Sequence, residues 1–148
     1  MASRPRFILL LNSAHRRLQQ WMALQQADAA EEGAIAPTPA HSGVLFALDK
    51  TDGATMGQLA QALALAPSAV SGLIQRMEVL DWVQRQPCPQ DARTQRVWLR
   101  PDGRAQLPAL RQALVRINAR LSEGFTEDEL QTVARWLRHV QKLDDTST

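Results

Sequence analysis

One cysteine, Cys88, stands in 148 residues. That excludes an intramolecular disulfide and points to a reducing compartment. Charge of a single sign is also missing: 17 Lys and Arg face 15 Asp and Glu, for a net charge of +2. Any electrostatic footprint must therefore come from local clustering rather than from total charge. No apolar run reaches the roughly 20 residues of a membrane-spanning helix. The run Phe7 to Leu11 is too short for a secretory signal, and His15-Arg16-Arg17 breaks the apolar character soon after it. The segment Met1 to Ala27 contains Arg but no acid, as a transit peptide does. Yet Phe7, Leu11, Ala14, Leu18 and Trp21 form a helical stripe that belongs to a folded helix. The expectation is a cytoplasmic protein that does not contact a membrane. The three histidines, His15, His41 and His139, are scattered without cysteine or acid at ligand spacing, so no metal and no cofactor are expected. Paired carboxylates, a Ser-His-Asp set and a phosphate loop are all absent from the sequence, which argues against an enzyme.

What is present centres on Thr55 to Arg93. Thr55 and Gln58 have the spacing of a capping box, and Met56, Leu59, Ala60 and Leu63 then recur at helical spacing. After a short break, Pro67 and Ser68 open a second helix with Val70, Leu73, Ile74, Met77 and Leu80 on its apolar side. Two short amphipathic helices joined by a tight turn form a helix-turn-helix. Val83 to Gln86 and Thr94 to Leu99 read as antiparallel strands. The loop Pro87 to Ala92 lies between them, exposed and kept out of the sheet ladder by its prolines. A first helix is expected over about residues 5–32, with a connector at Gly33 to Pro39. Thr38 and Pro39 then open a short helix carrying Val44, Leu45, Phe46 and Leu48. Beyond Gly103 a long helix bears Leu107, Leu110, Leu114, Ile117 and Leu121, and Pro108 is expected to kink it or delay its start. Thr126 and Glu129 cap a last helix with a seam of Leu130, Val133, Leu137 and Val140, and residues 144–148 form a polar tail. The fold class is mainly α with a small β-hairpin wing. The outer helices have more apolar seam than a small winged helix can cover, which calls for a second copy of the chain.

This order of elements resembles the MarR (multiple antibiotic resistance regulator) family. Val83-Gln84-Arg85-Gln86-Pro87-Cys88-Pro89-Gln90-Asp91-Ala92-Arg93 is similar to the family's wing, Val-Glu-Arg-Arg-x-x-x-x-Asp-x-Arg, and Val97 to Gly103 is similar to its strand exit, Val-x-Leu-Thr-x-x-Gly. The match spans about Thr38 to Gly103. The sequence departs from the family at Ala92, where an Arg is common, at Asp81-Trp82 in place of Gly-Leu, and at Arg100 in place of Thr. The resemblance implies one MarR-like domain over residues 1–148. A winged helix-turn-helix would occupy about residues 38–100, with dimerisation helices at about 5–32 and 103–143.

The activity implied is that of a homodimeric, sequence-specific regulator of transcription acting as a ligand-responsive repressor on double-stranded DNA. Two recognition helices would enter successive major grooves of a pseudo-palindrome, about 34–36 Å apart. On the second helix of the helix-turn-helix, the face opposite the core carries Ser68, Ser71, Gly72 and Gln75, with Ala69 and Arg76 beside it. A small polar face also merely solvates a helix, and the adjoining wing decides between the two readings. Gln75 suits the N6/N7 edge of adenine. Arg76 has two readings, a phosphate contact or a brace to a nearby acid. In the wing, Arg93 is the expected minor-groove residue, Asp91 orients it, and Arg85 is a backbone contact. Arg96 is read as a solvated surface residue, and Cys88 as an incidental loop cysteine rather than an oxidation sensor. Similar regulators bind a small aromatic or phenolic effector, for which His15, Arg16, Trp21 and His41 are the candidate residues. The rival reading, favoured by the low net charge and by Ala92, is a winged-helix protein-interaction module that does not read DNA.

Overall fold

Three threonines set where helices begin. Thr38, Thr55 and Thr126 each hold an extended backbone and accept from the amide three residues on, and the side chains of His41, Gln58 and Glu129 reach back to the cap amide. The structure, a computed structural model, describes residues 4–31 and 37–143. The elements in order are α1 (Phe7–Glu31), α2 (Pro39–Lys50), β1 (Ala54–Thr55), α3 (Met56–Leu63), α4 (Pro67–Val79), β2 (Val83–Cys88), β3 (Asp91–Leu99), α5 (Pro101–Ser122) and α6 (Glu127–Val140). Residues 33–36 of the expected connector and the expected tail at 144–148 lie outside the described residues.

The chain divides into two compact units, with the boundary between Leu107 and Pro108 inside α5. In the first unit the core joins α2, α3, α4 and the sheet. Val44, Leu45 and Leu48 from α2, Leu59 from α3, and Val70, Leu73, Ile74 and Met77 from α4 are all buried. Val83, Val97 and Leu99 complete it from the strands. Both helices of the helix-turn-helix stop in the same way. Leu65 N–H bonds the Ala60 carbonyl at 3.1 Å and Trp82 N–H bonds the Met77 carbonyl at 3.0 Å, each closing a left-handed residue, Ala64 (φ 52°) and Asp81 (φ 61°). Asp tolerates that conformation through local hydrogen bonding, whereas Ala64 adopts it against its Cβ. The two helices meet at 107°, within the range of helix-turn-helix pairs.

The sheet has three strands in the order β1-β3-β2, one more than the sequence pattern discloses. Residues Ala54–Thr55 are too few to show an alternation, and they pair with Val97 and Arg96. The wing strands are also longer than expected. Pro87 pairs with Gln95 and Cys88 with Asp91, across a register shift between Pro87 and Cys88. The prolines therefore do not hold this segment out of the ladder. β2 is an edge strand, where a missing N–H leaves no donor unpaired, and the bulge absorbs the irregularity.

α5 begins at Pro101, with no delay to a start near Pro108. Proline at a first helical turn costs no hydrogen bond. The Arg100 amide, just before it, donates to the Trp82 carbonyl at 2.9 Å. Gly103 makes this crossing possible, because a Cβ there would stand 2.2 Å from the Trp82 carbonyl oxygen. Asp52, a residue that reads in the sequence only as part of a polar turn, ties three elements together. It accepts from the Leu99 amide at 2.8 Å and the Gly53 amide at 3.1 Å, and pairs with Arg104.

In the second unit α6 buries no residue. Val133 and Leu137, two of its four seam positions, are exposed, as are Leu114, Val115, Leu121 and Phe125. Among the described residues no single helix is long and apolar enough to cross a membrane.

Candidate nucleic-acid interface

The β3 alternation explains how the wing reaches the helices. Arg93, Gln95, Val97 and Leu99 fall on one face of the strand. The inner pair of this face, Val97 and Leu99, is buried in the core, and the outer pair is polar and exposed. Arg85 lies directly across from Val97 on β2 and shares that face. A cleft of about 510 Å3 results. Its floor and walls are Thr55, Met56 and Gly57 at the start of α3, Ser71 on α4, Arg85 on β2, and Arg93, Thr94 and Gln95 on β3. The structure thus brings Ser71 of α4 and the wing residues Arg85 and Arg93 around one opening, while Ser68, Ala69, Gly72, Gln75 and Arg76 do not line it. The positive end of the α3 dipole adds to their charge.

The arginines of this region fall into two groups. Arg85 pairs with Glu78 at 2.7 Å, which braces β2 against the end of α4 while leaving the guanidinium on the cleft wall. Arg96 donates to the Gly53 carbonyl at 2.9 Å and to Cys88 Sγ at 3.5 Å, so it is a structural residue of the sheet and not a solvated one. Arg100 bonds Gln84 at 2.9 Å. Its Nε lies 2.7 Å from Asp81 Oδ1 but its N–H is not aimed at that oxygen, so the contact is one of charge without a hydrogen bond. Arg104 is paired with Asp52. Arg76 and Arg93, by contrast, make no ion pair among the described residues, and both are exposed. The brace to an acid, one of two readings for Arg76, is thereby removed.

Asp91 acts on the wing backbone. Its Oδ1 accepts from the Arg93 amide at 3.0 Å and its Oδ2 from the Thr94 hydroxyl at 3.3 Å. This fixes the turn from which the Arg93 side chain departs. On α4, Ser68, Ala69, Ser71, Gln75 and Arg76 are exposed, and Gly72 is half-buried beneath Arg76.

Cys88 is buried rather than exposed, although it sits in the wing. What covers it is the Arg96 side chain and Gln90, whose Oε1 accepts from the thiol at 3.2 Å; it is shielded by polar neighbours and not enclosed in the apolar core. The Arg96 guanidinium holds the thiol below its ordinary pKa, and a hydrogen bond to the Gln90 backbone adds to this.

Of the four residues considered for an effector, His15 and Arg16 are exposed on α1 and Trp21 is half-buried there. His41 has other partners. Its Nδ1 accepts from the Thr38 amide at 3.2 Å, and its ring stands edge-on to Trp82 with centroids 5.5 Å apart. Burial first, and the Arg76 charge second, lower its pKa, which keeps the imidazole neutral as the capping bond requires. The capping template with Glu or Gln at the third position misses this role, because here a histidine supplies the acceptor. Among the described residues no group of His, Cys, Asp and Glu could hold a metal ion.

A helix-turn-helix followed by a β-hairpin that flanks its second helix defines a winged helix-turn-helix, the class to which transcription regulators of this shape belong. Residues 37–94 match the family model described as MarR family. Solved structures agree along nearly the whole chain. A MarR-family transcription regulator is 26% identical, with 95% of this chain and 91% of that one covered and a TM-score of 0.71. A probable transcriptional regulator from Pseudomonas aeruginosa is 27% identical, covering 91% and 96%, with a TM-score of 0.75. The PcaV transcriptional regulator from Streptomyces coelicolor, solved in complex with its natural ligand, is 21% identical over 97% and 99%, with a TM-score of 0.78. No curated protein sequence matches the chain.

Proposed function

We propose that the protein is a homodimeric, sequence-specific DNA-binding regulator, acting as a repressor that a small aromatic or phenolic effector releases. The observation that carries this reading is the cleft shared by α4 and the wing, with unpaired Arg93 at its outer edge and Ser71 and Arg85 on its walls. α4 lies in the major groove and Arg93 enters the adjoining minor groove, where the potential is most negative over A·T tracts. Self-association is supported by the exposed seam of α6 and by exposed Ile8, Leu9 and Leu10 on α1. Apolar positions in such number on a soluble chain mark a contact surface. An effector is supported by the ligand bound to the similar PcaV protein.

A gel-shift with the DNA upstream of the protein's own gene tests the reading. The expected result is a sequence-selective shift that weakens with salt. Arg93→Ala should lower affinity and reduce the salt slope by about one. No selective shift, or an Arg93→Ala variant that behaves as wild type, overturns it.

A further inference from the structure

The second unpaired arginine carries more information than the first. Arg76 follows Gly72 by one helical turn, and its Nη1 lies 3.4 Å from the position a Cβ on Gly72 would take. Long helical side chains lean toward the helix N-terminus, and here the one at 76 meets no side chain at 72. The guanidinium is thus laid back along α4 over Gly72, with Ser68, Ser71 and Gln75 to one side of it and Ala69 to the other. Those neighbours are short or uncharged. Arg85, Arg96, Arg100 and Arg104 are all engaged within the protein, whereas Arg76 has no acid or carbonyl partner among the described residues. A planar fork of unpaired donors lying over the exposed face of α4 matches the O6 and N7 acceptors of guanine.

We propose that Arg76, laid across Gly72, is the specificity-determining residue of this protein and reads one guanine in each half-site. This rests on the DNA-binding reading above and sharpens it. Gln75 then reads a neighbouring base, and the serines contact phosphate.

The test is selection of duplexes from a random pool with the full-length chain, followed by affinity measurements on the selected duplex. A second duplex carries 7-deazaguanine, which lacks the N7 acceptor, at the guanine the selection fixes. Wild type should lose roughly tenfold or more on that replacement. Arg76→Ala should bind the two duplexes equally, whereas Arg76→Lys, which can still donate to N7 but lacks the planar fork, should keep only part of the discrimination. The alanine variant separates reading from mere attraction. If Arg76 only neutralises a phosphate, Arg76→Lys keeps the wild-type guanine preference and Arg76→Ala weakens both duplexes alike while keeping it. That result overturns the proposal and leaves DNA binding standing. A wild-type selection that fixes no guanine also overturns it. If the full-length chain selects no duplex at all, the DNA-binding reading fails and this one with it.

Discussion

α4 and α6 are helices of 13 and 14 residues with apolar positions at the same spacing, yet only one of them is satisfied by its own chain. α4 buries Val70, Leu73, Ile74 and Met77 completely or nearly so. α6 buries nothing, and Val133 is 48% exposed. The opposite faces invert this order. The outer face of α4 carries Ser68, Ser71, Gln75 and the one charge of Arg76, whereas the first turn of α6 carries Glu127, Asp128 and Glu129 and its last turn Arg138 and His139, charges that complement the helix dipole. α4 is stable because its apolar side is packed. α6 is stable locally, through its cap and its dipole, and its apolar seam is left for another surface. Two helices that look alike in periodicity therefore differ in how much of their seam their own chain buries.

The widest difference is expected on truncating one seam and then the other. Ile74→Ala leaves a cavity in a fully buried site and should cost about 2–5 kcal/mol in denaturant unfolding. Leu137→Asp should leave the fold's circular dichroism intact and convert a dimer to a monomer in light scattering, with the protein-concentration dependence of Tm lost. A cost at Leu137 equal to that at Ile74, with no change of mass, would erase the distinction between the seams.

The caps refine the comparison. His41 holds the α2 cap only when neutral, and its folded-state pKa lies below the ordinary 6.5. The unfolded chain therefore binds the proton first. The contribution of His41 to stability is complete above 6.5 and is lost as pH falls from there through the folded-state value. Arg76 is the charge that acts on it, and Trp82 and Thr38 are its neutral neighbours. His41→Gln keeps a capping acceptor and should flatten that part of the pH profile of Tm. The smallest expected effect is at Ala64, where glycine relieves a left-handed backbone; Ala64→Gly should stabilise by about 0.5–1 kcal/mol in the same unfolding assay.

These cases also separate what the sequence discloses from what it hides. The boxes at Thr55 and Thr126, the break after Leu63 and the buried face of α4 are legible because cause and effect lie within four residues of each other. Asp52 is not, since its partner amide at Leu99 is 47 positions away. The wing misleads for a related reason. Pro87 reads as a loop residue until the strand it occupies is known to be an edge, and Cys88 reads as exposed until Arg96 is placed over it. Of the interface, the residues are readable from spacing, but the division of the arginines is not. Nothing in the sequence separates engaged Arg85 from unpaired Arg93.

The central claim is that two copies of this chain place two α4 helices on one duplex. A hydroxyl-radical footprint of the full-length chain on its selected duplex tests it most directly. Two protected half-sites about 34–36 Å apart are expected, with two chains bound per duplex. A single protected site holding one chain, or uniform protection without regard to sequence, would contradict it.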